Sequence, residues 1–374
     1  MSSPIQVLIA DDSPSVRRLL TAYLDREPDL EVIAAVADGE RAIRGVEQHQ
    51  PDVVTLDVDM PGCDGLTALR RIMASRPTPT VMISGVGSRA ADQTFRALQE
   101  GAVDFVLKYS SQHPCDAEVL RLEIVSKVRA AARVRTIRSL ERGSLERGQR
   151  SKPAAGGLPA AAGEASPNPL ALSTGVVVIG ASTGGPVALR HLLARIPHDF
   201  PQPIVIVQHI PGSFTPVLAA QLARHTELEV QPAADGEPLT PGVVLVAPGD
   251  VHLLLASDGR VHHHDGPAIH GHRPAIDITM QSAARAFGAR TVGVLLTGMG
   301  SDGADGLLAI RVAGGRTFAQ DEASSVVWGM PQRASERGSV DQLAPPDEIA
   351  QALMQTADPA FTQSPFSQPQ VLPT

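Results

Sequence analysis

Large aromatic side chains are scarce here: one Trp, two Tyr and eight Phe in 374 residues. Any core must therefore be built from Val, Ile, Leu and Ala, which suits parallel strands covered on both faces. Two cysteines, Cys63 and Cys115, are too few for a disulfide framework, so a reducing compartment is expected. No apolar run approaches the ~18 residues that a membrane helix needs. The opening MSSPIQVLIADD has no basic region ahead of a long apolar one, which argues against a signal peptide. Positive charge is also short: 32 Lys and Arg face 40 Asp and Glu, for a net charge of -8. Nucleic acid is thus not the default partner. The expectation is a cytoplasmic protein that is not membrane-embedded.

What is present is alternation. QVLIA (6–10), EVIAA (31–35), VVTL (53–56), TVMIS (80–84) and DFVLK (104–108) read as five strands separated by amphipathic helices. Such alternation predicts a doubly wound parallel sheet over residues 1–125. A basic stretch and then SKPAAGGLPAAAGEASPNPL follow; this composition cannot bury a core, so 126–173 reads as a linker. Strands GVVVIG, PIVIVQHI, GVVLVAP, VHLLLAS and TVGVLLTG then alternate with helices, predicting a second α/β unit over 174–356. The Pro- and Gln-rich segment 357–374 reads as a disordered tail.

Ligands of open α/β sheets gather at the carboxyl ends of strands. In the first unit those ends carry Asp11 and Asp12, Asp57, Ser84 and Lys108. Carboxylates converging on one edge repel one another unless a cation sits among them, and a hard divalent ion such as Mg²⁺ suits all-oxygen ligands. A lysine and a hydroxyl beside it suit a phosphoryl group. Taken together, LIADDSPSVRRLL, TLDVDMPGCDG, MISG and DFVLK resemble the receiver domain of two-component response regulators over residues 4–125. The resemblance implies that Asp57 accepts a phosphoryl group from a histidine kinase. It implies that Asp12, Asp57 and the backbone carbonyl of Asp59 hold Mg²⁺, with Asp11 assisting through water. Ser84 and Lys108 would contact the phosphoryl oxygens, and Phe105 would be the switch aromatic. One departure stands out. Where the family has Lys-Pro with a cis bond, this chain has Lys108-Tyr109, and a cis bond before a non-proline costs ~2.5–4 kcal/mol.

The second unit opens on VVVIGASTGG (176–185), a strand running into a Gly-rich loop. Two readings compete. A dinucleotide site needs Gly-x-Gly-x-x-Gly and an acidic residue at the end of the next strand. Here Ser182 replaces the middle glycine, and the next strand ends in Gln208-His209. A nucleophile site needs a serine, a base and an orienting acid. Three strand ends offer Ser182, His209 and, in the loop GMGSDGADG, Asp302. Backbone N–H groups at Thr183 and over 298–300 are candidate oxyanion donors.

IGASTGGP, VIVQHIP, HRPAIDITMQSAA and LLTGMGSDGADG resemble the catalytic domain of chemotaxis protein-glutamate methylesterases over residues 174–355. The receiver in front completes that family's layout. The resemblance implies that Ser182 is the nucleophile, His209 the base and Asp302 its orienting acid, with Thr183 and Met299 at the oxyanion hole. It implies hydrolysis of glutamate γ-methyl esters on methyl-accepting chemoreceptors, and in some members deamidation of receptor glutamine. The esterase chemistry calls for no cofactor. Arg273, in HRPAID, is a candidate contact for an acidic receptor surface. The histidines of VHHHDGPAIHGHRP (His262, His263, His264, His270 and His272) read as a surface hairpin rather than a zinc site, because side chains alternate along a strand. A DNA-binding response regulator, a scaffold with a degenerate triad, and a chemotaxis-like pathway with another output are the rival readings.

Overall fold

Strand β3 (Val53–Asp57) is buried at every position, and so are β4 (Thr80–Ser84), β6 (Val176–Ala181), β7 (Ile204–Gln208) and β12 (Thr291–Leu295). Continuous Val, Ile and Leu without polar alternation is the pattern of a parallel strand sandwiched between helices. In the computed structural model, residues 3–85, 87–108, 117–134 and 175–357 are described.

The first sheet adds β1 (Ile5–Ala10), β2 (Leu30–Val36) and β5 (Asp104–Leu107), all parallel, in the order β2-β1-β3-β4-β5. This is the doubly wound order whose topological switch lies between β1 and β3. The helices are α1 (Pro14–Leu24), α2 (Gly39–His49), α3 (Gly65–Ser75), α4 (Ser88–Gln99) and α5 (Ala117–Ala132). Ser13, Asp38 and Asp64 begin the first three by accepting from backbone N–H groups one turn on. Helix α5 runs across residue 125, and its Val128 and Ala131 are packed into the receiver core. The described residues end at 134 and resume at 175, so most of the expected linker, and the tail from 358, lie outside them.

The second sheet has seven parallel strands in the order β14-β13-β12-β6-β7-β9-β8. Beyond those given above, they are β8 (Glu229–Pro232), β9 (Val243–Val246), β13 (Arg316–Gln320) and β14 (Gln342–Ala344). Helices α6 (Gly185–Leu193), α7 (Thr215–Ala223), α8 (Ile276–Phe287), α9 (Ala304–Val312), α10 (Met330–Glu336) and α11 (Pro346–Ala357) flank it. The strand expected at VHLLLAS does not join this sheet. It forms an antiparallel hairpin of β10 (His252–Leu255) with β11 (Val261–His264), which carries the histidine run.

The two units share a continuous apolar cluster. Helix α4 packs against α6, α7 and the 3₁₀ turn Gly212–Phe214. Phe105 of β5 stacks on Phe214, centroids 5.0 Å apart and planes 8° from parallel. Around this contact Gln221 Nε2 donates to Asp92 Oδ1 at 3.3 Å, and Thr183 Oγ1 donates to Asp104 Oδ2.

Candidate active site and receiver pocket

The register of the second sheet brings its site together. Ala181 pairs with Gln208 across β6 and β7, so Ser182 and His209 leave adjacent strands side by side. The His209 N–H donates to the Ala181 carbonyl at 3.1 Å. On the other side of β6, the Ser182 N–H donates to the Thr297 carbonyl at 3.1 Å, which ties the nucleophile loop to the loop carrying Asp302. Gln208 Nε2 donates to the Ser182 carbonyl at 2.9 Å. Glycine is required at two of these turns. Gly184 sits at φ 76° at the start of α6, and a Cβ there would lie 2.6 Å from Val326 Cβ. A Cβ on Gly298 would lie 2.8 Å from Ser182 Cβ.

His209 Nε2 lies 2.8 Å from Asp302 Oδ2, and both side chains are buried. An ionised carboxylate only accepts, so in the neutral ring the proton sits on Nε2 and the lone pair on Nδ1. That Nδ1 is buried and has no hydrogen-bond partner among the described residues. Asp302 also takes the Ile276 N–H at Oδ2 (2.8 Å) and the Asp277 N–H at Oδ1 (2.9 Å). Burial works against its charge, but the His209 hydrogen bond and these N–H groups outweigh it and hold the carboxyl down at about 2.

Asp277 is a residue that the sequence reading passed over. Its Oδ1 accepts the Gly303 N–H at 2.9 Å and the Gly306 N–H at 2.6 Å. The first N–H groups of a helix have no partner inside it. Asp302 satisfies those of α8 and Asp277 those of α9, so the two helices are capped reciprocally and Asp302 is fixed between them. Burial first, and then the nearby Asp302 charge, push the Asp277 carboxyl up to about 6.

Thr183, next to Ser182 in the chain, is buried, Met299 is half-buried, and neither N–H donates to any described residue. Arg273 is exposed, with Nη1 donating to the Gly266 carbonyl at 3.2 Å. A cleft of about 1830 Å³ opens between the two units, lined among others by Arg129, Arg133, Met299 and Trp328.

At the carboxyl edge of the first sheet, oxygens of Asp11, Asp12 and Asp57 lie within 4.8 Å of one another. Lys108 Nζ is 2.7 Å from Asp57 Oδ2 and 3.0 Å from Asp11 Oδ2. Burial raises the Asp57 carboxyl to about 6 even though Lys108 pulls it down. The Asp59 N–H donates to Asp57 Oδ1 at 3.4 Å. Ser84 is at the same edge, but its hydroxyl engages α4: it accepts from Thr94 Oγ1 at 2.7 Å. Phe105 is buried in the contact between the units. Tyr109, and with it the Lys108-Tyr109 bond, lies outside the described residues.

An acidic phosphoacceptor-type pocket on one α/β unit, and a serine, histidine and aspartate brought together on another, define a response regulator with an enzymatic output domain. The profile of the response regulator receiver domain matches residues 7–119, and that of the CheB methylesterase matches residues 177–353. A protein-glutamate methylesterase/protein-glutamine glutaminase of Symbiobacterium thermophilum is 43% identical over 354 residues, covering 94% of this chain and 96% of that protein. A protein of the same name from Pyrococcus horikoshii is 40% identical over 362 residues, covering 96% of this chain and 95% of its own. Among solved structures, the Thermotoga maritima CheB methylesterase catalytic domain is similar at 42% identity and TM-score 0.47, over 48% of this chain and 97% of that one. The chain belongs to the CheB family of protein-glutamate methylesterases, with a receiver domain ahead of the esterase domain. No described helix is long and apolar enough to cross a membrane.

Proposed function

We propose that the chain hydrolyses glutamate γ-methyl esters on chemoreceptors through Ser182, His209 and Asp302. The observation that carries this reading is the His209–Asp302 contact at 2.8 Å, on a strand end that neighbours the one delivering Ser182, with the buried Nδ1 left without a partner among the described residues. His209 Nδ1 takes the Ser182 hydroxyl proton as Oγ attacks the ester carbonyl carbon. The oxyanion is met by the N–H groups of Thr183 and Met299, donors of a kind worth ~2.7–4 kcal/mol each. The tetrahedral adduct collapses, and the departing methoxide takes the proton from His209 and leaves as methanol. Water then repeats the cycle on the acyl-serine and releases glutamate. A glutamine amide fits the same sequence with ammonia as the leaving group, in keeping with the double name of the relatives. Ser182→Ala should abolish methanol release from methylated receptor while receptor binding persists. Near-wild-type turnover in that variant refutes the assignment.

The division that goes with this reading is a receiver through residue 134 and an esterase unit over 175–357, joined by the segment between. In the receiver, Asp57 is the phosphoacceptor and a histidine kinase the donor. Three clustered carboxylates offer an all-oxygen donor set of the kind Mg²⁺ prefers. Asp12, Asp57 and the Asp59 carbonyl would hold the ion, and Asp11 would hold it through water. When bound, Mg²⁺ neutralises charge between Asp57 and the incoming phosphoryl group. Ser84 and Lys108 contact that group, and Ser84 must first turn from Thr94. Contact between the units couples this to the esterase. Asp104 grips Thr183, next to the nucleophile, and Phe105 stacks on Phe214, five residues past the base. The resting receiver thereby restrains the site, and phosphorylation releases it.

A further inference from the structure

One ring packed against the triad has no part in Ser–His–Asp chemistry. The imidazoles of His209 and His272 lie face to face, with centroids 3.8 Å apart and planes 7° from parallel. The His209 ring is held at Cβ by its own backbone and at Nε2 by Asp302. Rotation about the line through those two points moves Nδ1 without breaking the bond. A flat ring over one face blocks that rotation.

His272 is itself held in place. Its N–H donates to the Ile269 carbonyl at 2.9 Å, and its carbonyl accepts the Ile269 N–H at 3.0 Å. The next carbonyl, of Arg273, accepts the Asp250 N–H at 3.0 Å. The loop ends at α8, whose first N–H groups bind Asp302. One continuous segment therefore carries the stacking ring and donates the N–H groups that hold the acid. Burial, and then the neighbouring His209, push the His272 imidazole down to about 3, so it is neutral near pH 7. A neutral partner lets His209 take up the serine proton without facing a second positive ring.

We propose that His272 is a positioning residue, whose ring face holds the His209 imidazole in the orientation that serves Ser182. This rests on the triad reading above. Two measurements on the full-length protein test it: methanol release from methylated receptor, and the rate at which a fluorophosphonate labels Ser182. His272→Ala should lower kcat about tenfold, the scale of a lost aromatic stack, with KM unchanged. It should slow labelling by a similar factor. His272→Phe keeps a flat ring without ring nitrogens and should restore most of both rates, whereas His272→Asn should not. A wild-type kcat in His272→Ala, a loss confined to KM, or a Phe variant as slow as the Asn variant overturns the proposal. Should the Ala variant fail to fold, the Phe and Asn pair still decides. Ser182→Ala separates the two readings: if it keeps turnover, or the wild type is not labelled at Ser182, the triad has failed. If the triad holds while the His272 variants match wild type, this inference alone has failed.

Discussion

Asp104→Ala tests the restraint of the esterase by its receiver. Asp104 Oδ2 takes the Thr183 hydroxyl across the boundary between the units, and both residues are buried. A hydrogen bond to a charged acceptor contributes roughly 1.5–3 kcal/mol. Removing it should shift the docking equilibrium by about ten- to a hundredfold. The unphosphorylated rate comes from the undocked fraction, so that rate should rise by the same factor until it reaches the undocked ceiling. Lys127, 3.5 Å from Asp104, is not orphaned, because Glu123 Oε1 stands 2.9 Å away and the Phe105 carbonyl 2.5 Å away. The assay is methanol release from methylated receptor by the full chain, with and without a small phosphodonor. Asp104→Asn retains an acceptor oxygen and should rise less. A receiver that had simply unfolded would also free the esterase, so the melting curve of the variant must keep its receiver transition. The refuting result is an Asp104→Ala protein at the resting wild-type rate while phosphodonor still activates the wild type. The Thr183 contact would then be incidental, and restraint would rest on the Phe105–Phe214 stack and the α4 contacts.

Asp57→Ala should hold the resting rate when phosphodonor and Mg²⁺ are added, and chelation of Mg²⁺ should do the same to the wild type; full activation of the variant removes Asp57 from its role, and full activation after chelation removes the need for Mg²⁺. Asp277 yields a pH signature. Its carboxyl is raised to about 6 in the folded chain, so the folded state binds that proton more tightly than the unfolded state does. Stability contributed by the protonated form is present below the ordinary carboxyl range and is lost as pH rises through about 6. Asp277→Asn keeps an oxygen for the Gly303 and Gly306 N–H groups but carries no charge. Urea midpoints should show the Asn variant gaining on wild type between pH 5 and pH 7.5, and a gap independent of pH would refute the assignment. Asp277→Ala removes the cap outright and should cost about 1–2 kcal/mol in the same titration.

Strand ends were what the chain displayed most openly. Unbroken runs of Val, Ile and Leu mark strands buried on both faces, and in such sheets the residue after the run faces the ligand edge. Asp11, Asp57, Ser84, Lys108, Ser182 and His209 all follow that local rule, so their gathering was legible one strand at a time. Strands β8, β13 and β14 were not legible. Arg316–Gln320 opens on a charged residue, and the other two have only four and three residues. VHLLLAS has the composition of a parallel strand yet pairs antiparallel, because only residues 256–260 separate its strand from Val261–His264, too short a connection for a parallel crossover. The remaining parts of the site depend on distance across the fold. Asp277, in the first turn of α8, takes its role only because α9 begins against it. His272 is set apart from the other histidines of its run only because its loop folds over His209. Asp104 and Thr183 lie 79 positions apart on different units, and no periodicity in either segment records that they meet. A local pattern states which way a side chain faces; only the packed tertiary structure decides what stands opposite it.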